Sequence, residues 1–156
     1  MSIMVPLDIS DLSNSAIPRA TELAKALDAE LLFVTVADPG LRSALEDFAH
    51  AEGEDPADII ESNLRSTARS LDGVRVKTDT LSGDDPASAI VDRAARGDVD
   101  MIVIASHGRT GLQRWMLGSV AERVVRGATV PVMVVPAPWR AAAQQARVDA
   151  ASAPTP

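Results

Sequence analysis

The residues of this chain whose types and spacing suit chemistry stand together at positions 105 to 119, Ala-Ser-His-Gly-Arg-Thr-Gly-Leu-Gln-Arg-Trp-Met-Leu-Gly-Ser. The chemistry they suit is the holding of an anion. Glycine lets backbone come close to a ligand, and the free N–H groups of a first helical turn point at it. Gly108 and Gly118 bracket a loop whose amides could wrap phosphates. Ser119 could give its hydroxyl to a phosphate oxygen. It could equally cap a helix, because Ser119 and Glu122 stand three apart in the capping-box pattern. Arg109 and Arg114 could clamp phosphates or simply be solvated. His107 has no partner in the sequence for acid–base work, and Trp115, Met116 and Leu117 are expected to pack down as a lid or at a dimer surface.

The loop needs elements to position it. Val99 to Ile104 is an apolar run that predicts a buried strand before it, and Val120 to Arg126 predicts a helix after it. Ile3 to Leu7, Leu31 to Val36 and Val130 to Val135 predict further buried strands. Val74 to Leu81 alternates polar and apolar residues, which predicts a half-exposed strand near a sheet edge. Asp8 to Asn14 reads as a turn, and Pro18 requires the helix that follows to start near Asn14 or Ser15. Asp38-Pro39-Gly40 stops the second strand. Residues 41–71 read as mostly helical, with Leu41, Leu45 and Phe48 on one face, Ile59, Ile60, Leu64, Ala68 and Leu71 on another, and a break over Ala51 to Pro56. Asp85-Pro86 starts a helix to Arg96, and Gly97 ends it. Strands alternating with helices predict an α/β fold, a parallel sheet covered on both faces, with ligands outside the carboxyl ends of its strands.

Composition bounds the remaining possibilities. The chain has 156 residues, of which 46% are hydrophobic, enough for one domain with a sizeable core. It has no cysteine, so neither disulfides nor a thiolate metal site are expected, in keeping with a cytoplasmic location. The opening residues do not read as a signal peptide, and no apolar run reaches the roughly 18 residues of a membrane span. Net charge is −7, unevenly spread: residues 1–100 hold 9 Lys and Arg against 20 Asp and Glu, and residues 101–156 hold 6 against 2. Overall acidity argues against nucleic acid, while Arg109, Arg114, Arg123 and Arg126 gather in and just after the glycine loop, where they suit an anion. Glu52, Glu54, Asp55 and Asp58 are not spaced as a metal loop and are expected to be solvated. Residues beyond Pro136 turn to Ala, Gln, Pro and Ser, which predicts a flexible tail over 138–156 after a domain over 1–137.

The loop contains neither Gly-x4-Gly-Lys-Ser/Thr nor Gly-x-Gly-x2-Gly. It resembles the universal stress protein family, whose nucleotide-binding members carry Gly-x2-Gly-x9-Gly-Ser/Thr after the fourth strand. Here the match is Ala105-x2-Gly108-x9-Gly118-Ser119, with alanine where the motif has its first glycine. A methyl there would intrude if phosphate or ribose packs against its Cα. Ser-His-Gly-Arg-Thr-Gly-Leu, the ending Thr129 to Pro136, the opening Val5-Pro6-Leu7-Asp8-Ile9-Ser10 and Val34-Thr-Val-Ala-Asp38 resemble the family as well. The likeness covers residues 1–137.

That resemblance implies a Rossmann-like sheet of the adenine nucleotide alpha hydrolase-like kind, with five strands in the order 3-2-1-4-5 and a homodimer formed through the fifth strand. It implies binding of adenine nucleotide, ATP first, with Mg2+ or Mn2+ on the phosphates, in a stress-response or switch role. The implied site is Pro6, Val36 and Ile104 beside the base, with the Val36 backbone reading its edge. Asp8 lies near the ribose or, through water, near the metal, and Ala105, Gly108, Arg109, Gly118, Ser119 and Val120 lie near the phosphates. The alternative within the family is a nucleotide-free dimeric interaction module. A slow ATPase is a further reading. No catalytic residue is assigned, because fast phosphoryl transfer needs a positioned nucleophile and strong charge neutralisation. The only lysines, Lys25 and Lys77, are far from the loop in sequence, and no Asp or Glu lies between Gly108 and Glu122.

Overall fold

Five segments become strands: β1 (Ser2–Pro6), β2 (Glu30–Ala37), β3 (Arg75–Ser82), β4 (Met101–Ala105) and β5 (Val132–Val135). The structure is a computed structural model that describes residues 1–106 and 117–136. Its strands form one parallel sheet in the order β3-β2-β1-β4-β5, as expected for an α/β doubly wound chain. Between them run α1 (Asp11–Asn14), α2 (Ile17–Leu27), α3 (Pro39–Glu52), α4 (Pro56–Arg69), α5 (Pro86–Ala94) and α6 (Ser119–Gly127).

Side chains on a strand alternate between faces, and here the alternation sorts the interior into two cores. Ile3, Val5, Leu31, Phe33 and Val103 face α2, α3 and α4, where Ala20, Leu41, Ile60 and Leu64 meet them. Met4, Leu32, Val34, Ile102 and Ile104 face α5 and α6, where Ile90, Ala94, Ala121 and Val124 meet them. A right-handed crossover puts its helix on a face set by the direction of travel. The chain moves one way from β1 to β3 and the other way from β4 to β5. The two directions part between β1 and β4, which opens a crevice at their carboxyl ends.

The helix starts repeat one device. Asp38, Asp55 and Asp85 each precede a proline at the first helical position. Asp38 accepts from the Gly40 and Leu41 N–H groups at 2.8 and 3.1 Å, Asp55 from Ala57 at 2.8 Å and Asp85 from Ser88 at 2.9 Å. Proline lacks the N–H that would otherwise go unpaired there. Asp38-Pro39-Gly40 therefore opens α3 as well as closing β2, so the helix begins two residues before the expected position 41. Gly53, with φ +71°, breaks α3 from α4 inside the predicted interval.

Four expectations are corrected. The turn over Asp8 to Asn14 contains the short helix α1, capped by Ser10, and α2 begins at Ile17 with Pro18 in its first turn. β4 and β5 each start two residues later than predicted, although bonds from Asp100 N–H to Ser2 O and from Ile102 N–H to Pro131 O lead into them. α5 stops at Ala94 although Gly97 does take a left-handed φ of +89°. Phe48 is not on the buried face of α3: it is 57% exposed, whereas Leu41 and Ala49 are buried and Leu45 is half-buried. Positions 41, 45 and 49 form the i, i+4 row that faces inward, and Phe48 lies one residue off it.

β3 is the predicted edge strand, with Arg75, Lys77 and Thr80 exposed. An element that the sequence did not single out ties it down. Arg93 on α5 has a side chain only 9% exposed and binds Asp79 of β3 through Nε at 2.9 Å. It also grips Asp98 in a fork at 2.7 and 3.0 Å. This bidentate geometry suits arginine and not lysine. The fork, first through its hydrogen bonds, holds the Asp98 carboxyl below its ordinary range and raises the Arg93 guanidinium further. Among the described residues, no helix is long and apolar enough to cross a membrane.

Candidate functional site

The crevice encloses about 140 Å³ at the carboxyl ends of β1, β2 and β4, where the strand order reverses. Its apolar walls are Pro6 and Leu7 from β1 and its end, Val34 and Val36 from β2, Ile104 from β4, and Pro86 and Ile90 from α5. Its polar groups are Asp8, Ser13, Asp38, Ser106 and Ser119. Gly118, Ser119, Val120 and Ala121 bring the first turn of α6 to the same space. Of the sequence-predicted residues, Pro6, Asp8, Val36, Ile104, Ala105, Gly118, Ser119 and Val120 all line this one crevice. Gly108 and Arg109, with His107, Arg114, Trp115 and Met116, lie outside the described residues. Leu117 packs against the second core.

The first corner is built by residues 8–13. Ile9 has φ +64°, a conformation that a β-branched residue rarely adopts. Strain of this kind persists only where surroundings enforce it, and it gathers at functional sites. Here Ser10 donates its hydroxyl to Asp8 Oδ1 at 2.5 Å and its N–H to the same oxygen at 3.2 Å. Ser13, buried at the base of α1, accepts the Asp8 N–H at 3.1 Å and donates to Ser10 O at 2.9 Å. The Asp8 carboxylate is thus held at the crevice wall by a small hydroxyl network.

The second corner is backbone. Glu30 N–H donates to Met1 O at 3.0 Å and Val34 O accepts from Leu7 N–H at 2.8 Å, so these β2 residues turn their peptide groups toward β1. The two-residue alternation turns the Val36 N–H and C=O to the same side. The β1 register stops at Pro6 opposite Val34. Val36 therefore presents one donor and one acceptor toward the crevice, beside apolar walls.

The third corner is the α6 N-terminus. Gly118 is its N-cap, with φ −57° and ψ 148°, and no side chain caps the helix. The capping-box reading of Ser119 and Glu122 is corrected: Ser119 is already the first helical residue, and the Glu122 N–H bonds to the Gly118 carbonyl at 2.9 Å. The register is one residue earlier, and Gly118 N–H donates to Ser106 O at 2.7 Å, which ties the start of α6 to the end of β4. Free N–H groups and the helix dipole at such an end favour an anion. Ala105, the departure from the motif, is accommodated. Its φ is not among the positive ones, and it takes its place in the first core with Leu7, Ala16 and Val135. Leu7, Val34, Ser106 and Ala121, next to predicted residues or on the same strand, and Ser13, Asp38, Pro86 and Ile90, from other segments, also line the crevice without having been singled out by the sequence. The Asp38-Pro39 and Asp85-Pro86 steps were the available signal, because a helix start that follows a strand end lies at the crevice.

At the rim, Arg123 of α6 forks onto Asp85, the cap of α5, at 2.5 and 2.6 Å. Arg126 pairs with Glu122 at 2.9 Å. Two members of the basic group noted in the sequence are thus engaged with carboxylates. Hydrogen bonds from Arg123 and then Ser88 bring the Asp85 carboxyl down to about 2 from 3.8. A carboxyl that is lower when folded adds stability above its unfolded value and loses it as pH falls through the folded one. Asp85 and Asp98 share this sign. Melting temperature should therefore decline between about pH 4 and pH 2. The decline should be shallower in an Asp85→Asn, Asp98→Asn double variant followed by circular dichroism. Among the described residues, no group of three or more His, Asp or Glu is placed to hold a metal, and Glu52, Glu54, Asp55 and Asp58 are exposed.

A doubly wound sheet in the order 3-2-1-4-5, with its crevice at the switch point and no P-loop, places the chain among the Rossmann-like α/β proteins. The sequence model of the universal stress protein family matches residues 1–136, and the chain belongs to that family. Universal stress protein MJ0531 of Methanocaldococcus jannaschii is 34% identical over 145 residues, covering 87% of this chain and 82% of the relative. A universal stress protein solved in complex with cAMP superposes with a TM-score of 0.65 at 25% identity, over 87% of this chain and 96% of the other. The universal stress protein from Archaeoglobus fulgidus in complex with dAMP gives a TM-score of 0.61 at 25% identity, over 86% and 96%.

Proposed function

We propose that this chain binds an adenine nucleotide, ATP first, and acts through its occupancy as a stress-response switch. The observation that carries this reading is the pairing of two features in one crevice. Val36 offers peptide groups beside Pro6 and Ile104 at one side, and α6 brings an uncapped N-terminus to the other. An adenine needs the first, flat and apolar with a donor and an acceptor on its edge. A phosphate chain needs the second. Asp8 stands where it can accept from ribose hydroxyls or reach Mg2+ or Mn2+ through water. Gly118, Ser119 and Val120 supply amides to the phosphates, with Ala105, Gly108 and Arg109 completing that end. Relatives solved with cAMP and dAMP support an adenine nucleotide as the ligand class. The expected activity is binding, with hydrolysis slow at most. We further propose a cytoplasmic homodimer paired through β5, residues 1–137 as the domain and 138–156 as a flexible tail.

The test begins with freshly purified protein, denatured and examined by mass spectrometry for released nucleotide. Calorimetric titration of nucleotide-free protein follows. Adenine nucleotide at 100 times its Kd should stabilise the native state by about 2.7 kcal/mol. In a domain of this size that raises the melting temperature by roughly 5 to 10 °C. No released nucleotide and no shift at millimolar ATP would instead favour a nucleotide-free interaction module.

A further inference from the structure

We infer that the Asp85–Arg123 pair sets the charge tolerance of the crevice rim, so that Arg123 is a positioning residue that keeps the Asp85 carboxylate from penalising ligands with more phosphate. The inference rests on the adenine-nucleotide reading above and adds a residue to it. Arg123 lies four positions after Ser119, so the two share a face of α6 one turn apart. Asp85 immediately precedes Pro86, which lines the crevice. The fork therefore spans the N-termini of α5 and α6 just outside the phosphate end.

Each partner has a reason to be there that the other completes. Asp85 caps α5 by accepting the Ser88 N–H at 2.9 Å. An asparagine could cap as well without charge. A bare carboxylate at this rim would repel an incoming polyphosphate, and the two-pronged arginine cancels it. The carboxylate in the first turn of α6, Glu122, is matched in turn by Arg126 of the same helix. The pair's side chains are 55% and 37% exposed, so its direct contribution to folding is small. Its larger consequence is electrostatic, and it scales with the charge of what binds. The far ends of the two helices are joined by packing instead: a Cβ on Gly127 would come within 3.3 Å of Val91 Cγ2. The rim geometry thus does not depend on the ion pair alone.

The test compares wild type, Arg123→Gln, Asp85→Asn and the double variant by calorimetry with ATP, ADP, AMP and adenosine, after circular dichroism has checked that each is folded. Uncovering Asp85 in Arg123→Gln should weaken ATP binding about five-fold, from like-charge repulsion across partly screened solvent. The loss should shrink in the order ADP, AMP and vanish for adenosine. Removing the exposed carboxylate in the double variant should return ATP affinity to near the wild-type value. Equal losses for adenosine and ATP, or a double variant no tighter than Arg123→Gln, would overturn the inference while leaving nucleotide binding intact. Failure of the wild type to bind any of the four would overturn the underlying reading and the inference with it.

Discussion

Gly118→Asp is expected to abolish nucleotide binding while leaving the melting temperature of the unliganded protein unchanged or slightly raised. Gly118 occupies the N-cap of α6 with φ −57° and ψ 148°, an extended conformation open to any residue and normal for a cap. Aspartate there would accept the N–H of the second or third helical residue. It improves on glycine by a few tenths of a kcal/mol as a cap, and its charge suits the helix dipole by about 0.3–1 kcal/mol more. Those N–H groups are the ones a phosphate would use. The same carboxylate therefore occupies the donors and repels the ligand. Hydrogen bonds to charged groups are worth about 1.5–3 kcal/mol each, so losing even one costs about 10- to 150-fold in affinity, and the repulsion adds to that. Gly118→Ser separates the two effects, because serine caps without charge and should cost less. Paired thermal melts with and without ATP read both quantities. A Gly118→Asp protein that keeps its ATP-dependent shift would remove α6 from the phosphate site.

Most of the architecture was legible because it is written in periodicity. The apolar runs at 3–7, 31–36, 99–104 and 130–135 lie in a sheet that is covered on both faces, and such strands have no polar side to blur them. Val74 to Leu81 alternates because β3 stands at the edge. Boundaries were harder, and the reasons are local. Asp38-Pro39-Gly40 reads as a stop, although the same Asp-Pro step at 85–86 reads as a start. The two look alike in sequence, and what differs is how closely a strand precedes them.

The site was legible to the extent that it is made of motif residues and strand ends. Pro6, Asp8, Val36, Ile104 and Ser119 converge because consecutive parallel strands all end at one edge. What stayed hidden is what tertiary contact creates. Ser13 reaches Asp8 through the turn at Ile9, and no pattern foretells a left-handed isoleucine. Arg93 joins Asp79 and Asp98 from three separate segments. Arg123 meets Asp85 across 38 residues. The two arginines pair with opposite charges that sequence alone would scatter on the surface.

The same limit of periodicity separates the two phenylalanines. Phe33→Ala should cost about 3–5 kcal/mol, whereas Phe48→Ala should change stability by no more than about 0.5 kcal/mol. Phe33 is fully buried at the middle of β2, paired in register with Val5 on one side and Thr78 on the other, within the core shared with Ile60 and Leu64. Truncation there removes a ring that close-packed neighbours cannot replace by relaxing. Set against a domain stability of about 5–15 kcal/mol, the loss is a large share of the total, and the melting temperature should drop by roughly 6 to 20 °C. Phe33 faces α2–α4, on the opposite side of the sheet from Val34 and Val36. Any Phe33→Ala protein that still folds should therefore keep its ATP-dependent shift, only from a lower starting point. Phe48 shares a helical face with Leu41 and Leu45 by spacing alone, but α3 turns it outward. Urea denaturation of both variants decides the matter. A Phe48→Ala loss close to that of Phe33→Ala would mean that α3 packs on the sheet along its whole length, with position 48 and not 49 turned inward.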